Sequence, residues 1–157
     1  MAVVQNTYNE LPAFGYPGQV ANGETSNRIS RTVEDAAGIG FGVPVYRGSG
    51  DHGVTATVGT AATFLGFTIA DHSIQILPGG TADVVAQYDT ISVCTQGVMW
   101  VEATGANADG AAVTIGKDAG AADGIGDTAA DSTHIATNGW VFDTTTAASG
   151  LARIAKR

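Results

Sequence analysis

The sequence has one cysteine, four prolines and two tryptophans in 157 residues, and only 14% of it is charged. Each shortage excludes something. The lone Cys94 cannot close an intrachain disulfide, which removes the disulfide-stapled class of small domain. Charge stands well below the ~25% of an ordinary soluble domain. Apolar residues nevertheless make up 44% of the chain, enough to bury a core, so wholesale disorder is excluded. No apolar run reaches the ~18 residues that a membrane-spanning helix needs. The start, Met1-Ala-Val-Val-Gln-Asn-Thr7, has neither a basic nor an apolar region, so no secretory leader is expected. Basic residues are scarce, seven against fifteen acidic ones, for a net charge of −8. Nucleic-acid binding by phosphate neutralisation needs the opposite sign gathered on one face. The basic residues that do cluster, Arg153, Lys156 and Arg157, sit at the C-terminus and read as a solvated tail. Neither nucleic acid nor a membrane is an expected partner.

Helical periodicity is also missing. Alanine-rich stretches such as 119–130 are cut by Gly120, Gly124 and Gly126, each costing a helix roughly 1 kcal/mol against alanine. What is there is strand signal. Residues 41–47 (FGVPVYR) alternate Phe41, Val43 and Val45 on one face, with Pro44 pointing to an edge position. Residues 53–59 (GVTATVG), 64–70 (FLGFTIA) and 73–77 (SIQIL) follow, the last closed by the turn Pro78-Gly79-Gly80. Residues 89–93 and 98–102 read as two strands, or as one with a bulge at Gly97. Residues 111–115, 139–146 and 150–155 complete seven to nine short strands, the pattern of an all-β single domain, either β-barrel or β-sandwich.

Two regions stand apart. Residues 1–35 are polar, with Tyr8, Leu11, Phe14, Tyr16 and Pro17 scattered without period, and read either as a disordered terminus or as an extended N-terminal arm that orders against a partner. The all-β domain is then 36–157, carrying one long Gly/Ala/Asp-rich loop at about 104–138 with a single short strand inside it.

Chemistry-bearing residues are few. Gly48-Ser-Gly-Asp-His-Gly53 has the letters of a dinucleotide fingerprint, but the β-branched residues after it deny the helix whose N-terminus would face a pyrophosphate. It reads as a hairpin loop. His52, His72 and His134 lack metal-ligand spacing and read as turn residues. Cys94 has no basic residue within twenty positions and reads as a structural strand cysteine. Asn107, Asp109, Asp118, Asp123, Asp127 and Asp131 suit a weak calcium site in composition, but the EF-hand order is missing, and a solvated acidic loop is expected. Trp100 and Trp140 sit at strand positions that read as core. No catalytic, cofactor or metal residues are assigned, and the chain is not expected to be an enzyme.

Several of these segments together resemble one family. Gly15-Tyr-Pro-Gly-Gln-Val-Ala-Asn22 resembles an N-terminal Pro-Gly-Gln-x-Ala stretch; Arg31-Thr-Val-Glu34 and Ile39-Gly-Phe-Gly-Val-Pro-Val45 follow, the latter similar to a Phe-Gly-x-x-Val strand. Tyr88 to Val101 looks like a strand pair that opens on Gly-Asp, with Tyr88 here in place of the glycine, and Gly139 to Ala152 resembles a closing strand, turn and strand. These are features of the structural cement, or head decoration, proteins of tailed bacteriophages. The resemblance implies a virion protein, made in the bacterial cytoplasm, that binds the outer surface of the assembled capsid and clamps neighbouring major capsid subunits. It also implies self-association, as a homotrimer or else a dimer. Such a subunit would offer edge strands and an orderable arm, with Tyr8, Leu11, Phe14, Tyr16 and Pro17 as partner contacts. The alternative is a β-sandwich binding module of tail-fibre or carbohydrate-recognition type, which would present its tryptophans to solvent.

Overall fold

A computed structural model describes residues 15–73, 82–117 and 124–157. Eleven strands and no helix occur among them: β1 (Asn27–Val33), β2 (Ile39–Gly40), β3 (Pro44–Arg47), β4 (Gly53–Thr55), β5 (Phe64–Thr68), β6 (Val84–Val85), β7 (Thr90–Ala103), β8 (Ala112–Gly116), β9 (Ile125–Gly126), β10 (His134–Phe142) and β11 (Gly150–Lys156). Nine of them form one sheet in the order β1-β4-β3-β5-β7-β11-β10-β8-β9, while β2 and β6 make a small second sheet. Extra pairings of β7 with β1 and with β9 close this sheet on itself twice. The first half of β7 belongs to a ring with β1, β4, β3 and β5. Its second half belongs to a ring with β11, β10, β8 and β9. The fold is all-β and barrel-like, organised around one 14-residue strand.

The sequence of β7 explains its double membership. Alternation puts Ile91 and Val93 into a first core with Val33, Ile39, Val45, Val54 and Val85. Met99, Val101 and Ala103 enter a second core. Gly97 stands at the handover with φ 132, so what reads as either two strands or a bulge is one strand passing between two rings. The second core carries an edge-to-face chain of rings, Tyr46–Phe64–Phe67–Trp140, with successive centroids 5.7, 5.5 and 5.1 Å apart. It ties β3 and β5 of the first ring to β10 of the second.

Local chemistry shifts several boundaries. Asn27–Val33, the end of the expected arm, forms β1 and pairs with β7 along its first half. Pro44 is the first residue of β3, where its missing N–H costs no ladder bond, and β3 lies between β4 and β5 rather than at an edge. β10 begins at His134, earlier than the expected 139, and runs through Asn138 and Gly139, whose left-handed backbone (φ 54 and 97) resets the alternation. Ile135, Thr137, Trp140 and Phe142 are thereby all buried. The expected strand at 73–77 lies almost wholly outside the described residues.

Candidate functional site

The described chain starts at Gly15, inside the expected arm. Gly18–Ala21 lies along the second half of β7: Gly18 N–H donates to the Trp100 carbonyl (2.8 Å), Trp100 N–H to Gln19 (2.9 Å) and Ala21 N–H to Val98 (2.8 Å). Gly15 sits against the Trp100 ring so closely that a Cβ there would fall 2.7 Å from it. Trp100 is therefore half-buried on the outer face of β7, not core; only Trp140, 1% exposed, is core. Of the five residues expected to touch a partner, Tyr8, Leu11 and Phe14 lie outside the described residues. Tyr16 is 43% exposed and packs edge-on to His72 (5.0 Å), which also meets Phe41 (5.7 Å). Pro17 is half-buried against Gly42. These residues form one surface patch, with Asp83 at 3.5 Å from the His72 ring.

The C-terminal cations hold this segment down. Arg157 reaches Glu24 (3.0 Å) and Asp143 (3.3 Å), while Arg153 meets Asp143 at 2.7 Å. The Arg157 guanidinium, followed by the Asn22 amide, keeps the Glu24 carboxyl below its ordinary range. Arg153 and Arg157 thus form part of a clasp between the two ends of the described chain rather than a solvated tail.

The Gly48–Gly53 loop is the β3–β4 hairpin loop, and it does cradle an anion: the chain's own Glu34. Gly50 N–H and Ser49 N–H each donate to that carboxylate at 2.8 Å, and the Ser49 hydroxyl at 2.9 Å. These bonds, the Gly50 amide first, hold the Glu34 carboxyl below its usual range. A Cβ on Gly53 would stand 1.6 Å from its Oε1, so the glycine is required by an internal ligand. Nothing in the spacing of the loop residues alone signals a partner fifteen positions upstream.

The remaining candidates separate. Asp131 Oδ1 accepts from the Thr133 hydroxyl (2.8 Å), Thr133 N–H (2.7 Å) and His134 N–H (2.8 Å), and these bonds hold its carboxyl well below the carboxylate range. Asp127 accepts from Ala108 N–H, and the buried Asn107 spends its amide on Thr104, Gly105 and Thr146. Asp118 and Asp123 lie outside the described residues. Cys94 is buried, burial pushes its thiol up, and its S–H donates to the Gln96 carbonyl. Among the described residues no three His, Cys, Asp or Glu side chains converge as metal ligands.

One surface feature shows in the sequence only as a departure from the resembled strand pair. Tyr88, in the turn before β7, is 77% exposed and has φ 69. That left-handed backbone gives a physical reason for a glycine before the aspartate in the strand pair this segment resembles.

Comparisons agree with this architecture. A chain from "The capsid of Myoviridae Phage XM1" shares the fold, with TM-score 0.71 over 99% of this chain and 97% of that one, at 17% identity. No curated protein sequence matches. The family model described as "Structural cement protein (E217 gp24/Pam3 gp6)" matches residues 4–156, nearly the whole chain. The chain belongs to the structural cement protein family of bacteriophages.

Proposed function

We propose that this chain binds the outside of the assembled phage capsid and joins neighbouring major capsid subunits, with no catalytic step. The observation that carries the reading is the family match across residues 4–156. The geometry supports it in two ways. Two closed rings sharing β7 make a stiff body, and the clasp of Arg157, Glu24 and Asp143 fixes the segment at which residues 1–14 join that body. Ring closure pairs both edges of β7, so weight shifts from edge-strand pairing to the arm and to exposed side chains. Tyr8, Leu11, Phe14, Tyr16 and Pro17 are the proposed contacts with the coat protein, and a homotrimer would engage several coat subunits at once, adding avidity without new contacts. The mechanism is mass action: a ligand of the assembled shell alone stabilises that shell by RT ln(1 + [L]/Kd) at every site.

The test is cosedimentation with purified capsids that lack this protein. The full chain is expected to pellet with them, and a chain lacking residues 1–14 to bind more weakly with unchanged melting. Equal binding by the two removes the arm from the mechanism. The deletion stops short of Gly15 because Gly18–Ala21 is part of the body. A carbohydrate-binding alternative finds no support in the tryptophans, since Trp140 is buried and Trp100 is covered by Gly15.

A further inference from the structure

Among the described residues three non-glycine residues have left-handed backbone: Asp83 (φ 60), Asn138 (φ 54) and Tyr88 (φ 69). Asparagine and aspartate visit this region readily because a short polar side chain can bond locally; a tyrosine does so only against a steric cost. The cost at Tyr88 buys no packing, since its side chain is 77% exposed, the most of any large hydrophobic residue described. Nor is the turn loose. Tyr88 N–H donates to the Val33 carbonyl (2.8 Å), Asp89 N–H to Ala86 (3.2 Å), and the Gln87 side-chain amide to the Glu34 carbonyl (2.8 Å). A strained residue held by its surroundings and serving no core is a reason to look for function.

We infer that the Tyr88 ring is a preformed anchor that inserts into an apolar slot on the coat protein, an inference that rests on the capsid-binding reading. Tyrosine suits the role because it brings a large apolar face, a hydroxyl and little rotamer entropy, and buried aromatic anchors dominate interface energetics. Charge selects the coat over a second copy of this chain. The neighbouring elements carry Glu34, Asp35, Asp51 and Asp89 against Arg31 and Arg47, a net negative end. Two copies meeting through this end would oppose carboxylate to carboxylate, which disfavours association. The complementary slot is therefore edged by hydrogen-bond donors or cations.

The test uses three full-length chains titrated onto purified capsids: wild type, Tyr88→Asn, which keeps left-handed tolerance and removes the ring, and Tyr88→Phe, which keeps the ring. Tyr88→Asn is expected to melt no lower than wild type and to bind about tenfold more weakly or worse, while Tyr88→Phe stays within about threefold. Wild-type binding by Tyr88→Asn overturns the anchor and leaves the capsid reading standing. Altered sedimentation of the free protein with capsid binding intact places the ring against a second copy and overturns the coat assignment. Absence of binding by the wild-type chain overturns the capsid reading itself.

Discussion

Gly97→Ala tests the handover of β7 between its two rings. Gly97 holds φ 132, a region that any residue with a Cβ enters at a cost of about 1–3 kcal/mol. An added Cβ would also fall 2.8 Å from the Ser26 Cβ and 3.3 Å from its Cα, so the segment leading into β1 must move. Overpacking of that kind costs about 1–3 kcal/mol. The sum, about 2–6 kcal/mol, corresponds to a fall in Tm of roughly 5–20 °C for a domain of this size. Gly110→Ala is the control: Gly110 has φ 80 and nothing within 4 Å of an added Cβ, so it reports the backbone part alone. The assay is thermal unfolding with amide exchange. Gly97→Ala should lower Tm by more than Gly110→Ala and expose the Gly18 and Trp100 amides, whose bonds hold residues 18–21 on β7. A Tm within about 1 °C of wild type, with those amides still protected, would refute the reasoning.

Glu34→Gln removes the charge that the Ser49 and Gly50 amides hold. Because the folded carboxyl lies below its ordinary value near 4.5, its stabilising effect is present at neutral pH and is lost as pH falls through the lowered folded pKa. The Tm gap between wild type and variant should be constant near neutral pH and narrow as pH falls below about 4.5; a gap that does not narrow there would be evidence against the cradle. Arg157→Ala opens the clasp on Glu24 and Asp143, groups that are solvent-accessible, so its loss of Tm should shrink in about 1 M salt. A loss that salt does not touch would assign Arg157 a packing role instead.

The all-β class was legible because short apolar runs set between turn residues are a local signal: FLGFT and GLARIAK carry it within a few residues, and β5 and β11 lie where it points. β1 was missed because NRISRTV is largely polar, and only its last residue, Val33, is deeply buried. The start of β10 was hidden by the bulge at Asn138 and Gly139, which breaks the period that alternation relies on. Long-range features left no trace at all. Glu34 and the loop that cradles it are fifteen or more positions apart, and Arg157 meets Glu24 across 133. Trp100 and Trp140 look alike as strand tryptophans, and only ring closure decides that one faces the core and the other the N-terminal segment. At Tyr88 the one sequence signal is the glycine that the resembled strand pair has there, and the φ of 69 supplies its physical reason.

The central claim is that this protein stabilises an assembled shell by binding it, and capsid disruption under heating measures that directly. Capsids lacking the protein are heated with increasing amounts of it, and release of the packaged contents is followed. The account predicts that the release temperature rises with added protein, first with occupancy and then more gradually as RT ln(1 + [L]/Kd). The rise should be smaller for the chain lacking residues 1–14 at the same concentration. A release temperature that stays constant while the protein is demonstrably bound would contradict the account.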